Sequence, residues 1–99
     1  MSNVVWFISY KLVKGASVPD FLRASERVNN EILSKQKGFI SWKVLVDGDT
    51  WVDLVIWESM DDAKNGETAG KTNPVAHEFY SFIDLESCKH QLFFVEKSY

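Results

Sequence analysis

Three side chains combine a group that could do chemistry with an apolar neighbourhood: Tyr10, His77 and Tyr80. An imidazole can act as a general base or as a ligand, and a phenol carries one polar group on a large apolar body. We therefore treat these three as candidate catalytic residues of a pocket. For His77 a solvent-facing position is the alternative, because it points about 160° away from the apolar side of its predicted helix.

Large aromatic residues near these candidates could form the walls of a substrate pocket. The set consists of Trp6, Tyr10, Trp42 and Phe79. Flat apolar walls suit a hydrophobic or aromatic small molecule that stacks against them. Ordinary core packing uses the same residue types, so the sequence leaves both interpretations open.

Asp53 is a charged residue inside the apolar segment WVDLVIW. Charged side chains that become enclosed need a partner. A three-residue hairpin loop would place Lys43 opposite or diagonal to Asp53, and cross-strand pairs of opposite charge are common. We predict a Lys43–Asp53 ion pair, and the alternative is an aspartate that lines a wet cavity.

The remaining chemical motifs are weak. His90 stands alone on a predicted strand edge without a second ligand at metal-binding spacing. The segment GETAGKT resembles a phosphate-binding loop, but Asn65 occupies the position where that motif requires glycine, so we interpret it as an ordinary loop, with a frayed helix as the alternative for this stretch. Cys88 is the only cysteine, which excludes an intrachain disulfide. We predict no metal site.

Periodicity and capping residues predict the elements that must position these side chains. Predicted strands cover Val4–Leu12, Phe39–Val46, Trp51–Trp57 and Lys89–Lys97, and predicted helices cover Ser17 to Gly38, Met60–Lys64 and Pro74 to about Ile83. The order β-α-β-β-α-β predicts one α+β, ferredoxin-like domain over residues 1–99. Its four-stranded antiparallel sheet carries the helices on one face.

Both faces of the predicted sheet are too apolar for one helix layer to cover. The first parity holds Trp6, Ile8, Tyr10, Ile40, Trp42, Val44, Val46, Val52, Leu54 and Ile56. The second, mixed parity holds Val5, Phe7, Ser9, Phe39, Ser41, Lys43, Leu45, Trp51, Asp53, Val55 and Trp57. Each face spans on the order of 400 Å², an exposed apolar area that usually marks an interface. We predict a homodimer through the sheet faces, and a monomer with scattered surface hydrophobics is the alternative.

Composition narrows the class of partner. Hydrophobic residues make up 45% of the 99 residues, charged residues 25%, and the net charge is −3. Nucleic-acid binding normally needs a basic patch, and no segment has the length of a membrane span or the form of a signal peptide. We therefore expect a cytoplasmic protein without nucleic-acid or membrane partners.

The order of elements, together with the junction Trp57-Glu58-Ser59 that leads into MDDAKNG, resembles the dimeric α+β barrel superfamily. Within it the sequence is most similar to antibiotic-biosynthesis-monooxygenase-like domains. The resemblance implies a homodimeric barrel and a pocket between sheet and helices. It also implies a small-molecule oxidoreductase, such as a cofactor-independent monooxygenase. A non-catalytic ligand-binding or stress-type dimer of the same fold is the alternative, since fold does not determine function.

Haem is the cofactor that some members of this superfamily bind. His77 lies where haem-degrading members place their ligating histidine. The asparagine that they carry in the first strand is missing from residues 4–12, and the tryptophan of the second-half helix is missing between residues 58 and 87. We therefore expect no haem and no other cofactor.

Overall fold

The computed structural model describes residues 2–99. Its elements are β1 (Val4–Leu12), α1 (Val18–Glu31), a 3-10 turn (Leu33–Lys35), β2 (Phe39–Asp47), β3 (Thr50–Trp57), α2 (Met60–Lys71), α3 (Pro74–Tyr80) and β4 (Ile83–Phe94). The strands form one antiparallel sheet in the order β2-β3-β1-β4. The helices lie on one face of it. The predicted α+β, ferredoxin-like arrangement is confirmed.

Each helix begins at a residue whose side chain accepts a backbone hydrogen bond. Ser17 accepts from the N–H of Asp20 at 3.3 Å, and Ser59 accepts from the N–H of Asp62 at 3.1 Å. Asn73 caps α3 through a bond of 2.9 Å to the N–H two residues on. These caps satisfy donors that the first helical turn leaves free. The three helix starts are therefore encoded locally.

Helix α2 is longer than the sequence suggested. It continues from Met60 to Lys71, so all of GETAGKT except its last residue, Thr72, is helical, and the interpretation of this segment as a loop is wrong. Gly66 and Gly70 are unfavourable in a helix, but both are buried. A Cβ on Gly66 would overlap the Trp57 ring, so the glycine permits the helix to approach the sheet closely.

The last helix and strand are also shifted relative to the prediction. Helix α3 ends at Tyr80, and β4 begins at Ile83 rather than at Lys89. The early part of β4 pairs with the end of β1, where Leu12 lies opposite Ile83. A register shift between Ser9 and Lys11 in that ladder separates this part from the main pairing.

The hairpin between β2 and β3 has a two-residue loop, Gly48 and Asp49, because Asp47 pairs with Thr50. Gly48 has φ +61°, as a tight hairpin turn requires at its first central position. Lys43 consequently lies opposite Leu54, and Asp53 lies opposite Val44.

The predicted Lys43–Asp53 pair is therefore wrong, since the two side chains point to opposite faces of the sheet. Asp53 and its neighbours of equal parity on β3, Val55 and Trp57, face the helices and are buried. The side chains of Val52, Leu54 and Ile56 lie on the outer face of the sheet. The predicted grouping of these three residues on one face with Trp6, Ile8 and Tyr10 is therefore wrong for β3.

Within residues 2–99, none of the helices has both the length and the apolar character that a membrane crossing would need.

Candidate functional site

A cavity of about 210 Å³ lies between the sheet and the helices. Its floor on the sheet consists of Trp6, Ile8, Trp42, Asp53, Val55 and His90. Its walls on the helical side include Val28, Ile32, Leu33, Glu67, Phe79 and Tyr80. The lining is largely apolar, with a few polar groups, which is the usual composition of a small-molecule site.

Small residues on the helices leave the space for this cavity. Gly66 and Gly70 of α2 and Ala76 of α3 all lie at its border. A Cβ on Gly70 would come within 3.4 Å of the Tyr80 hydroxyl and 3.8 Å of the Ala76 Cβ, which is ordinary contact. Larger side chains along this stripe would fill the volume that a ligand could occupy.

Asp53 is the buried ionisable group of the cavity. It is only 6% exposed, and its Oδ1 accepts a hydrogen bond of 2.7 Å from the Tyr10 hydroxyl. Burial raises the pKa of Asp53 to about 6, although the Tyr10 bond and the nearby indole of Trp42 both lower it. The Trp42 N–H exerts this influence without meeting the geometry of a hydrogen bond. The carboxyl group can therefore exchange a proton near neutral pH.

Tyr80 borders the cavity, and the Tyr10 hydroxyl donates a hydrogen bond to Asp53. Burial, and secondarily the Asp53 charge, raises the pKa of Tyr10, and burial raises the pKa of Tyr80. Both phenols therefore stay protonated at neutral pH. Tyr80 lines the cavity, whereas Tyr10 lies behind Asp53 and reaches the site through that carboxyl group.

Indole N–H groups add unpaired donors around the cavity. In the described part of the chain, the Nε1 atoms of Trp6 and Trp42 are buried without a hydrogen-bond partner. Unpaired buried donors are uncommon in folded proteins.

The residues predicted for the site have different positions in the structure. Trp6, Trp42, Phe79 and Tyr80 line the cavity directly. Tyr10 is buried behind it and holds Asp53. What these residues do for a ligand stays a prediction.

His77 lies outside the cavity, at the solvent-facing position that the sequence indicated as the alternative. It is exposed, and its Nε2–H donates to the carbonyl oxygen of Lys71 at 2.7 Å. This position does not suit a haem ligand for the cavity. Among residues 2–99, no cluster of three or more His, Cys, Asp or Glu side chains could hold a metal ion.

Three polar residues of the cavity, Asp53, His90 and Glu67, were not among the predicted site residues. For Asp53, the signal was the isolated charge in an apolar strand, and the alternative of an aspartate in a cavity describes its position. His90 had no such signal, because its place beside Trp6 depends on how β4 pairs with β1. Glu67 lies in α2, in the segment that the sequence suggested to be a loop.

Solved structures with the same fold include several oxygenase-like proteins. SnoaB, a cofactor-independent oxygenase from Streptomyces nogalater, has a TM-score of 0.79 at 17% identity, covering 99% of this chain and 97% of its own. A candidate antibiotic biosynthesis monooxygenase from Bacillus cereus has a TM-score of 0.67 at 23% identity, covering 100% and 96%. Another from Bordetella bronchiseptica has a TM-score of 0.78 at 10% identity, covering 94% and 96%.

The sequence itself matches no family model and no curated protein. At identities this low, the structural likeness establishes the fold and not the activity. It confirms the fold that the resemblance implies.

Proposed function

We propose that this chain, which has the fold of antibiotic-biosynthesis-monooxygenase-like proteins, is a small-molecule oxidoreductase of monooxygenase-like type. It acts without a cofactor on a hydrophobic or aromatic compound bound between sheet and helices. The observation that carries this proposal is Asp53, a buried carboxyl group that borders an aromatic cavity and titrates near neutral pH. A purely structural aspartate would gain little from such a position, because burial makes its ionised form costly.

The volume of the cavity limits the size of the substrate. Engineered cavities of about 150 Å³ accept benzene. A cavity of about 210 Å³ therefore holds a compound of one or two rings. This cavity volume is smaller than that of pockets for drug-sized ligands, which begin at roughly 300 Å³.

In the proposed reaction the substrate is its own reductant. Asp53 accepts a proton from an acidic C–H next to an aromatic ring or carbonyl, and the resulting carbanion is electron-rich enough to reduce O₂. Overall, a CH₂ group and O₂ become a C=O group and water, so the two C–H bonds supply the electrons and no external donor is needed. The aromatic walls exclude water and orient the ring.

A non-catalytic ligand-binding dimer is the second candidate function. The observation in its favour is that apolar side chains supply most of the cavity wall, which would retain a ligand without transforming it. Polar groups that converge on the site, namely Asp53, Tyr80 and the Tyr10 hydroxyl behind Asp53, favour an enzyme.

The decisive experiment separates proton abstraction from oxygen chemistry. The probe is 2-tetralone, a two-ring ketone whose CH₂ between ring and carbonyl is acidic. We expect the protein to accelerate exchange of these protons with D₂O under argon, measured by NMR, and to accelerate O₂ uptake in air. Asp53→Asn should lower both rates by about a hundredfold, the usual effect of losing a general base.

Asp47→Asn is the matched control, because it removes the same charge from an exposed position at the end of β2. Binding of 2-tetralone without exchange would favour the ligand-binding function. Equal rates for the wild type and Asp53→Asn would eliminate Asp53 as the base.

We also propose that the chain forms a homodimer through the outer face of the sheet. The support is that Phe7, Leu45 and Phe93 are 38%, 43% and 44% exposed on that face. The Phe7 and Phe93 rings contact each other at 6.4 Å between centroids and form a continuous apolar area. Areas of this kind are typical of interfaces.

A further inference from the structure

His90 is a polar residue of the cavity that the proposed reaction does not use. It lies on the edge strand β4, directly opposite Ile8 of β1. On its other side Ile8 lies opposite Asp53 of β3. Asp53, Ile8 and His90 therefore form one row across the sheet, and all three border the cavity.

The row sets the distance between Asp53 and His90 along the sheet. Residues opposite each other in antiparallel strands have α-carbons about 5 Å apart, so the α-carbons of Asp53 and His90 are separated by roughly 10 Å. Ile8 forms an apolar floor between them. One aromatic ring can lie on this floor with its two opposite edges directed at the two polar groups.

The two ends of the row have different chemistry. The Asp53 end is buried and accepts hydrogen bonds when ionised, whereas the His90 end is exposed. A neutral imidazole always carries one N–H donor and a protonated one carries two. The His90 and Trp6 rings form a T-shaped pair, with centroids 5.8 Å apart and planes at 81°, which restricts how the imidazole can turn.

We propose that His90 is a specificity residue that binds an acceptor oxygen of the ligand at the mouth of the cavity, opposite Asp53. This inference rests on the proposed function of the cavity and narrows its substrate class. The ligand is an aromatic compound with an acidic group on one edge of the ring and a carbonyl or similar acceptor on the opposite edge. The acidic group enters first and reaches Asp53, and the acceptor stays near the surface at His90.

Two phenols of nearly equal shape test this assignment. In 4′-hydroxyacetophenone a carbonyl lies opposite the hydroxyl, and 4-ethylphenol carries an ethyl group there instead. Binding can be followed through tryptophan fluorescence, because Trp6 and Trp42 line the cavity. We expect the wild type to prefer the ketone by about tenfold, the worth of one well-formed hydrogen bond.

His90→Phe retains a ring against Trp6 but has no N–H, and we expect it to bind both phenols about equally, at the affinity of 4-ethylphenol for the wild type. His90→Gln retains an N–H donor and should recover most of the preference. His77→Phe is the matched control, since His77 is exposed outside the cavity, and it should leave the preference unchanged. Thermal unfolding of each variant verifies that it is folded.

Each remaining outcome contradicts the role of His90 and leaves the proposed function to a separate test. If the wild type binds both phenols and His90→Phe keeps the tenfold preference, or if the wild type shows none, the role of His90 is wrong while the proposed function stands. If the wild type binds neither phenol, the role of His90 is wrong, and the 2-tetralone exchange experiment decides separately whether Asp53 acts as a base.

Discussion

Asp53 shows how a single buried carboxyl group makes stability depend on pH. Its ordinary pKa is 3.8, and burial raises it to about 6 in the folded chain. Between these values the folded state keeps a proton that the unfolded state releases. The folded state thus binds more protons, and the free energy of unfolding falls as pH rises.

We predict that Asp53→Asn removes this part of the pH dependence. The free energy of unfolding of the variant, minus that of the wild type, should increase as pH rises from about 4 to about 7. Since one pKa unit corresponds to about 1.4 kcal/mol, the increase should reach up to about 3 kcal/mol. Urea unfolding of both proteins across this range measures it.

Tyr10→Phe extends the same measurement. It removes the hydroxyl that lowers the pKa of Asp53, so the pH-dependent loss of stability should continue to higher pH than in the wild type. Asp47→Asn controls for the loss of a negative charge. A difference between the wild type and Asp53→Asn that stays constant with pH would show that Asp53 is not perturbed.

At the scale of elements, the length of one hairpin loop determines which side of β3 is buried. A three-residue loop would have put Lys43 opposite Asp53, and the observed two-residue loop puts it opposite Leu54. A register change of one residue moves every side chain of a strand to the other face. The tight turn at Gly48 is therefore the reason why Asp53 faces the cavity and not the outer face.

Helix α2 offers a pair of glycines with different roles. We predict that Gly66→Ala destabilises the protein by about 1–3 kcal/mol, because the new methyl group would overlap the Trp57 ring in a tightly packed region. Gly70→Ala should instead raise stability slightly, by up to about 1 kcal/mol from helix propensity. Urea unfolding of both variants tests the difference.

Gly70→Ala should still weaken binding of 4-ethylphenol, since its methyl group narrows the cavity beside Tyr80 and Ala76. Gly66→Ala thus tests the packing of α2 on the sheet, and Gly70→Ala tests the space that the cavity offers a ligand. If Gly66→Ala were as stable as the wild type, α2 would not be held against Trp57. If Gly70→Ala bound the phenol as tightly as the wild type, the cavity would not extend to this part of α2.

At the scale of the whole molecule, we predict a dimer of twice 11.4 kDa that the outer face of the sheet holds together. The double variant Leu45→Lys, Phe93→Lys places charges on this face and should shift the protein to the monomer, because unpaired charges are costly in an interface. Sedimentation velocity at micromolar concentration measures both species.

Leu22→Lys is the matched control for the dimer. Leu22 is 42% exposed on α1, so it is as accessible as Leu45 but lies on the helical side of the sheet. It should leave the mass unchanged. A wild-type particle of 11.4 kDa would contradict the proposed interface, and the exposed aromatic residues would then need another explanation.

The sequence by itself determined the elements whose signals are local. Ser17, Ser59 and Asn73 mark the helix starts because a capping side chain bonds to N–H groups two or three residues on. Runs of β-branched and aromatic residues mark the first three strands. From these elements their order and the fold class follow, because few arrangements bury their apolar faces.

Only the tertiary structure decided the composition of the cavity. Asp53 and His90 are 37 residues apart in the sequence, and their common row depends on the pairing of both with Ile8. Gly66 borders the cavity from α2, where a Cβ would overlap the Trp57 ring. Strand pairing and the close approach of α2 to the sheet depend on residues far apart in the sequence. No local pattern around Asp53, His90 or Gly66 therefore predicts their positions in the cavity.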